Sequence, residues 1–201
     1  MKSFIYILLT SLTFLVVGCQ NESEEIRLIN QAERLFDAYP DSVITTLDSI
    51  PLPEEMNPRL IARWCMLYAR AADKIEDEMP YTNQLEIALK YYQKKKMREE
   101  EAEIGLYLGR SYVEDKDNEL AMKAYLQALD IALRCHDYNQ AGYICSYMGD
   151  LYHFDGDYLL GKDKYKKAEQ YFRKVGNMRS AAFALRDVGR MYVCLLYTSD
   201  A

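Results

Sequence analysis

The chain has 201 residues, half of them hydrophobic, and a formal net charge of −6. That length suits one domain or one short repeat array with a sizeable core. No basic cluster exists beyond Lys94-Lys95-Lys96, so nucleic-acid binding has little electrostatic support in these residues and none is expected here.

The first segment, residues 1–18, is an address and stands outside the fold. Lys2 precedes an apolar run from Phe4 to Val17, short of the roughly 20 residues a membrane span needs. The run ends Val16-Val17-Gly18-Cys19. This resembles the lipobox of bacterial lipoproteins. The resemblance implies lipidation of the Cys19 thiol, cleavage before Cys19 and acylation of the new terminus with palmitate-type chains. An ordinary secretory signal with a chance cysteine is the alternative. Several acyl chains hold a protein on a membrane where one does not. Gln20 rather than Asp follows Cys19, so the inner-membrane retention signal is absent. Glu22, Glu24 and Glu25 form an acidic stretch of the kind that accompanies surface display in some lipoproteins of the Bacteroidetes type. The expected location is the bacterial cell envelope, lipid-anchored at the outer membrane, on its periplasmic or its surface face.

Residues 19–27 are expected to form a tether, and residues 28–58 a helical hairpin with a linker. Its first helix is predicted from Ile26 to Ala38, with Leu28, Ala32, Leu35 and Phe36 on one face. Asp41 or Ser42 would cap a second helix, whose stripe is Val43, Ile44, Leu47 and Ile50. Pro51, Pro53 and Pro58 break the chain. A helix from Arg59 to Ile75 follows, and Leu85 to Lys96 pairs back on it. Lys95 and Lys96 are spaced to meet Glu99 and Glu100 on one solvated helix face. Further helices are predicted at Glu101–Val113, Leu120–Arg134, Gln140–Tyr152, Leu159–Val175 and Ala181–Val193, with turns at Asp155-Gly156-Asp157-Tyr158 and Gly176-Asn177.

Three stretches repeat at one spacing: Leu108-Gly109-x-x-Tyr112, Met148-Gly149-x-x-Tyr152 and Val188-Gly189-x-x-Tyr192, with the glycines forty residues apart. Downstream of the first two come Ala121, Tyr125, Ala128 and Gly161, Tyr165, Ala168. The glycine admits a neighbouring helix, and the tyrosine one turn later is expected to fill the gap. A fixed period of this size marks a stacked repeat array. The expected class is all-α, a solenoid of antiparallel helix hairpins over residues 59–193, divided near 59–100, 101–139, 140–179 and an incomplete 180–193. Ala69 stands forty residues before Gly109 and keeps the register.

These motifs resemble tetratricopeptide repeats (TPRs). The usual period is about 34 residues; the extra length here is expected in longer helices or in a turn at 135–141. The opening Ala32-Glu33-x-Leu35 and Tyr39-Pro40-Asp41-Ser42 resemble the first hairpin of Bacteroidetes TPR lipoproteins. The final Cys194-Leu195-Leu196-Tyr197-Thr198-Ser199-Asp200-Ala201 breaks the pattern and resembles a translated sequencing adapter. Residues 194–201 are therefore expected to be a non-native tail.

No motif for nucleophilic, phosphate-binding or metalloprotease chemistry occurs. Cys135, His136, Cys145 and His153 match no structural zinc spacing. Catalytic residues, metals and cofactors are not expected. The resemblance to TPRs implies a concave side lined by the first helix of each hairpin. In this register that side carries Glu103, Leu106 and Arg110; Tyr143, Ser146, Asp150 and His153; and Phe183, Arg186 and Arg190. Arg110, Asp150 and Arg190 share one equivalent position. The expected ligand is a helix or extended segment of a protein. The expected function is a non-catalytic, membrane-anchored interaction scaffold. The alternative is the sensor part of a membrane-bound transcription regulator whose effector region follows.

Overall fold

The computed structural model describes residues 24–51 and 55–199, with side chains given up to residue 197. The signal segment 1–18, Cys19, Pro53 and the last two residues lie outside the described residues. The chain divides into two units, Met1–Asp77 and Glu78–Ala201. All regular structure among the described residues is helical.

The first unit holds three helices, α1 at residues 24–35, α2 at Pro40–Asp48 and α3 at Pro58–Ile75. Residues 24–27, expected in the tether, are the first turn of α1, where Arg27 donates to Glu24 at 2.8 and 2.5 Å. The predicted cap on α2 is corrected. Tyr39 occupies that position without a side-chain cap, and Pro40 opens the helix with its φ already set. Asn57 caps α3 by accepting from the N–H groups of Arg59 and Leu60, both at 3.1 Å. The core is Ile29 and Ala32 from α1, Val43, Ile44 and Leu47 from α2, and Leu60, Ile61, Trp64 and Cys65 from α3. Leu28, Leu35 and Phe36, expected on the buried face of α1, are only half-buried. Trp64 keeps its indole N–H satisfied in this core by donating to the Leu47 carbonyl at 3.1 Å.

The second unit holds α4 (Thr82–Lys95), α5 (Arg98–Glu114), α6 (Asn118–Arg134), α7 (Tyr138–Phe154), α8 (Tyr158–Lys174) and α9 (Met178–Ser199). Each packs on the next in the order α4, α5, α6, α7, α8, α9. The expected all-α solenoid is what forms. Helices α5 to α8 are each 17 residues long. Only three residues join consecutive members, so the forty-residue period comes from long helices and not from an extended 135–141 turn.

One turn geometry recurs. Lys116, His136, Gly156 and Gly176 adopt positive φ of 63°, 59°, 80° and 76°. The N–H after each bonds back five residues, as Asp117 does to Tyr112 at 2.8 Å and Asp157 to Tyr152 at 2.9 Å. This is the Schellman closure of a helix end. The same residue then caps the next helix. Asp117, Asp137, Asp157 and Asn177 accept from the N–H groups of Leu120, Gln140, Leu160 and Ser180 at 2.9–3.1 Å. Because these caps lie ahead of the first apolar residue, α6, α7 and α8 begin one or two residues earlier than predicted. The predicted Lys95–Glu99 face does not form, because Lys96 takes φ 57° and ends α4.

The repeated glycines work through a different tyrosine from the one expected. A Cβ on Gly109 would overlap the Tyr125 ring, and one on Gly149 would stand 2.7 Å from the Tyr165 ring. Those rings belong to the second helix of each hairpin. Tyr112 instead turns to α4, where its hydroxyl donates to Glu86 Oε1 at 2.9 Å. At Gly189 nothing lies within 4 Å of an added Cβ. Gly109→Ala and Gly149→Ala should each destabilise by about 1–3 kcal/mol through overpacking, whereas Gly189→Ala should stabilise by about 0.5–1 kcal/mol through helix propensity. Urea unfolding of the three variants checks the opposite signs.

His136→Gly and Lys116→Gly should each add about 1 kcal/mol by relieving a left-handed residue that bears a Cβ. Gly176→Ala should lose a similar amount. Thermal melts of these variants test the turn.

Candidate protein-interaction surface

The first helices of successive hairpins, α5, α7 and α9, place their equivalent residues at forty-residue intervals, and α5 touches α7 directly. The expected surface residues therefore fall on neighbouring helices, but the structure uses them in different ways. Leu106 is 3% exposed and belongs to the core, which corrects its expected place on an open face. Glu103 is half-buried and accepts from the Tyr107 hydroxyl at 3.3 Å. Ser146 donates to the Gly142 carbonyl of its own helix at 3.2 Å, so its hydroxyl is already engaged. His153 packs beside the Phe154 and Tyr158 rings at 5.8 Å, and its Nδ1 is buried without a hydrogen-bond partner.

The accessible members are aromatic and cationic. Tyr143 crosses the Phe172 ring edge-on at 4.9 Å and pairs its hydroxyl with Ser180 at 3.2 Å. Phe183 is 48% exposed and lies between the guanidinium groups of Arg186 and Arg179, at 5.2 and 5.9 Å. Arg186 donates two hydrogen bonds to Asp187, which hold it beside that ring. A half-exposed aromatic side chain fixed between arginines presents area at little entropic cost on binding.

The shared register position is where the charges meet. Arg110 lies 5.1 Å from the Tyr147 ring centroid. Asp150 and Arg190 come together at 3.6 Å on adjoining first helices. Between them stands Tyr165 of α8, which donates to Asp150 at 2.5 Å and accepts from Arg190 at 3.1 Å. Tyr125 occupies the same place one repeat earlier, in the fields of both Arg110 and Asp150. Tyr165 and Asp187 are thus parts of this surface that the sequence pattern assigned to the core or did not single out. The signal for Tyr165 was present: an aromatic residue 16 positions after the repeat glycine, in both complete repeats.

Burial pushes the Asp150 carboxyl above its usual 3.8, against the hydrogen bond from Tyr165 and the charge of Arg190. Burial and the bond to Asp150 push the Tyr165 phenol strongly upward, so it is a fixed donor at physiological pH. Among the described residues Cys65, Cys135 and Cys145 form no disulfide. Cys145 packs with Ala168, Phe172, Ala181 and Ala184, and burial raises its thiol to about 11. It is therefore a packing residue rather than a nucleophile or thiolate ligand. Among the described residues no group of three or more His, Cys, Asp or Glu side chains is placed to hold a metal ion, and no helix is long and apolar enough to cross a membrane.

No family model and no curated protein matches this chain. Among solved structures, BtubC (BKLC) from P. vanneervenii aligns with a TM-score of 0.49 and 14% sequence identity, covering 88% of this chain and 91% of that one.

An acid whose folded pKa is raised binds more protons in the folded state than in the unfolded state. Its contribution to stability is therefore fullest at low pH and declines as the pH climbs from 3.8 to the raised folded value. Asp150→Asn keeps an acceptor for Tyr165 and abolishes the titration. The stability of the parent minus that of Asp150→Asn should fall with pH from about pH 4 upward and then level off. Denaturant titrations at a series of pH values measure it, and a difference that grows with pH would contradict the burial of this carboxyl.

Proposed function

We propose that this protein is a non-catalytic scaffold: a TPR-type lipoprotein of the bacterial envelope, anchored through Cys19, that binds another protein along the side formed by α5, α7 and α9. The observation that carries the reading is the pairing of an open aromatic residue, Phe183, with Arg186, which Asp187 holds in place, on the same helix as Arg190, which Asp150 holds. Pre-positioned aromatic and guanidinium groups are the side chains that dominate protein–protein binding energy. The forty-residue repetition supports an elongated ligand, such as a helix or an extended segment, that touches equivalent positions in turn. The Val16-Val17-Gly18-Cys19 motif supports the anchor, and Glu22, Glu24 and Glu25 support an outer-membrane destination.

The test has two parts in the native bacterium. Cys19→Ser should move the protein from the membrane fraction and remove labelling by a clickable palmitate analogue. Retention on the membrane together with continued labelling would sink the anchor. A photo-crosslinking amino acid at position 183 or 143 should capture one discrete protein, whereas the same probe at Leu126, on the second helix of a hairpin, should not. Phe183→Ala should weaken that partner about thirtyfold, as loss of a central aromatic anchor does. Equal capture from positions 183 and 126 would exclude this side as the binding surface.

A further inference from the structure

The second unit is electrically polar along its helices. The chain reverses at every turn, so its left-handed residues fall at two opposite ends of the stack. Lys96, His136 and Gly176 close α4, α6 and α8 at one end, and Lys116 and Gly156 close α5 and α7 at the other. Neighbouring turns at each end touch: Asn177 donates to Asn139 at 2.8 Å, and Asn118 donates to Asp155 at 3.0 Å. Residues 93–99, 133–139 and 173–179 hold eight Lys and Arg against two acids, Glu99 and Asp137. Residues 113–119 and 153–159 hold six Asp and Glu against one base, Lys116. A 17-residue helix separates the ends by about 25 Å. Screening at physiological salt acts over about 8 Å. An approaching surface therefore feels one end at a time, whatever the net negative charge of the chain.

The cations of the basic end are displayed rather than neutralised. Arg98, Arg134 and Arg173 pair with Glu101, Asp130 and Glu169. Lys94, Lys95, Lys96, Lys174 and Arg179 are all exposed, and none of them enters an ion pair among the described residues. Lys174 rests over the Tyr138 ring at 3.4 Å, and Arg179 stands 5.9 Å from the Phe183 ring. Three apolar side chains stand open among these cations: Met97, Val175 and Met178, at 36%, 45% and 56% exposure. No single turn carries enough charge to stand out in the sequence; the fold gathers three of them.

We propose that the end formed by the turns at Lys96, His136 and Gly176 docks on an anionic phospholipid surface. This deepens the envelope-lipoprotein reading and rests on it for the presence of a bilayer. Lysine and arginine gain from each anionic headgroup they approach, while Met97, Val175 and Met178 enter the boundary between headgroups and acyl chains. Two features favour a lipid surface over an acidic protein. The cations sit at the tips of neighbouring turns, where they meet a plane together. The side chains between them are apolar and form no hydrogen bonds. The six carboxylates of the far end are repelled by the same surface, so the unit docks one way up. Its helices then stand on end, and the side formed by α5, α7 and α9 stays open to a protein.

The test uses the full chain from the native bacterium with vesicles of phosphatidylcholine, with or without phosphatidylglycerol. An environment-sensitive fluorescent amino acid replaces Met178 or, in a second sample, Phe154 at the acidic end. With phosphatidylglycerol the emission at 178 should shift to the blue, and the emission at 154 should stay. The shift should vanish in about 1 M salt, where screening acts within about 3 Å. Lys94→Gln, Lys95→Gln and Lys174→Gln together should abolish it with helical circular dichroism unchanged, and arginine at the same three positions should keep it. No shift at 178, an equal shift at 154, or a shift that survives the glutamines overturns the docking. A shift that rises with protein concentration without vesicles overturns it in favour of a second copy. A shift with soluble polyglutamate and not with phosphatidylglycerol overturns it in favour of an acidic protein. Flotation with phosphatidylcholine alone reports the anchor separately. A chain that floats and shifts only with phosphatidylglycerol keeps the docking and loses the anchor.

Discussion

The stacking of α5 to α9 depends on a three-residue turn in which one backbone position closes a helix and opens the next. At Asp117, Asp137, Asp157 and Asn177 the N–H ends the preceding helix while the side chain caps the following one. Both jobs are done by one residue, so neither helix can slide along its axis relative to the other. The twenty-residue step from cap to cap then fixes which residues face each other. This lets a glycine on one helix be matched repeatedly to a ring on the next. Without that register, the small residues of α5 and α7 would be gaps, and gaps in a packed interior are costly.

The array was legible in the sequence because its period is carried by glycine, tyrosine and alanine at packing positions, where few other residues fit. The ends of the helices were less legible. Lys116 and His136 occupy left-handed positions that would be read easily only if they were glycine, as at Gly156 and Gly176. Hydrophobic periodicity begins inside a helix, after its cap, so helices read from periodicity start late. The run of Lys94 to Lys96 and Glu99 to Glu101 shows a different limit. Its spacing is compatible with one helix or with two joined by a turn, and the backbone hydrogen bonds around Lys96 decide for the turn.

The candidate surface was legible as a register and not as a set of contacts. Positions 150 and 190 come together across two first helices, yet Leu106, expected on the same open face, is consumed by the core. What joins Asp150 to Arg190 is Tyr165, a residue of the covering helix, and a pattern confined to first helices does not include it. Its ring serves packing and its hydroxyl serves the surface. Amphipathic side chains of this kind divide their atoms between two environments, and a single label of core or surface misses one half.

The alternation Arg110, Asp150, Arg190 also bears on how such an array can change in length. Excision of residues 118–157 would leave the turn chemistry intact, because α8 would follow α5 through an equivalent cap. It would also set Arg110 and Arg190 on either side of the Tyr165 hydroxyl, with Asp150 gone. Two guanidinium groups would then share one neutral acceptor where an anion had stood, and like charges this close repel. Asp150 therefore lets the Tyr165 hydroxyl donate toward one first helix while it accepts from the next, and an array without that hairpin would leave the same hydroxyl between two cations.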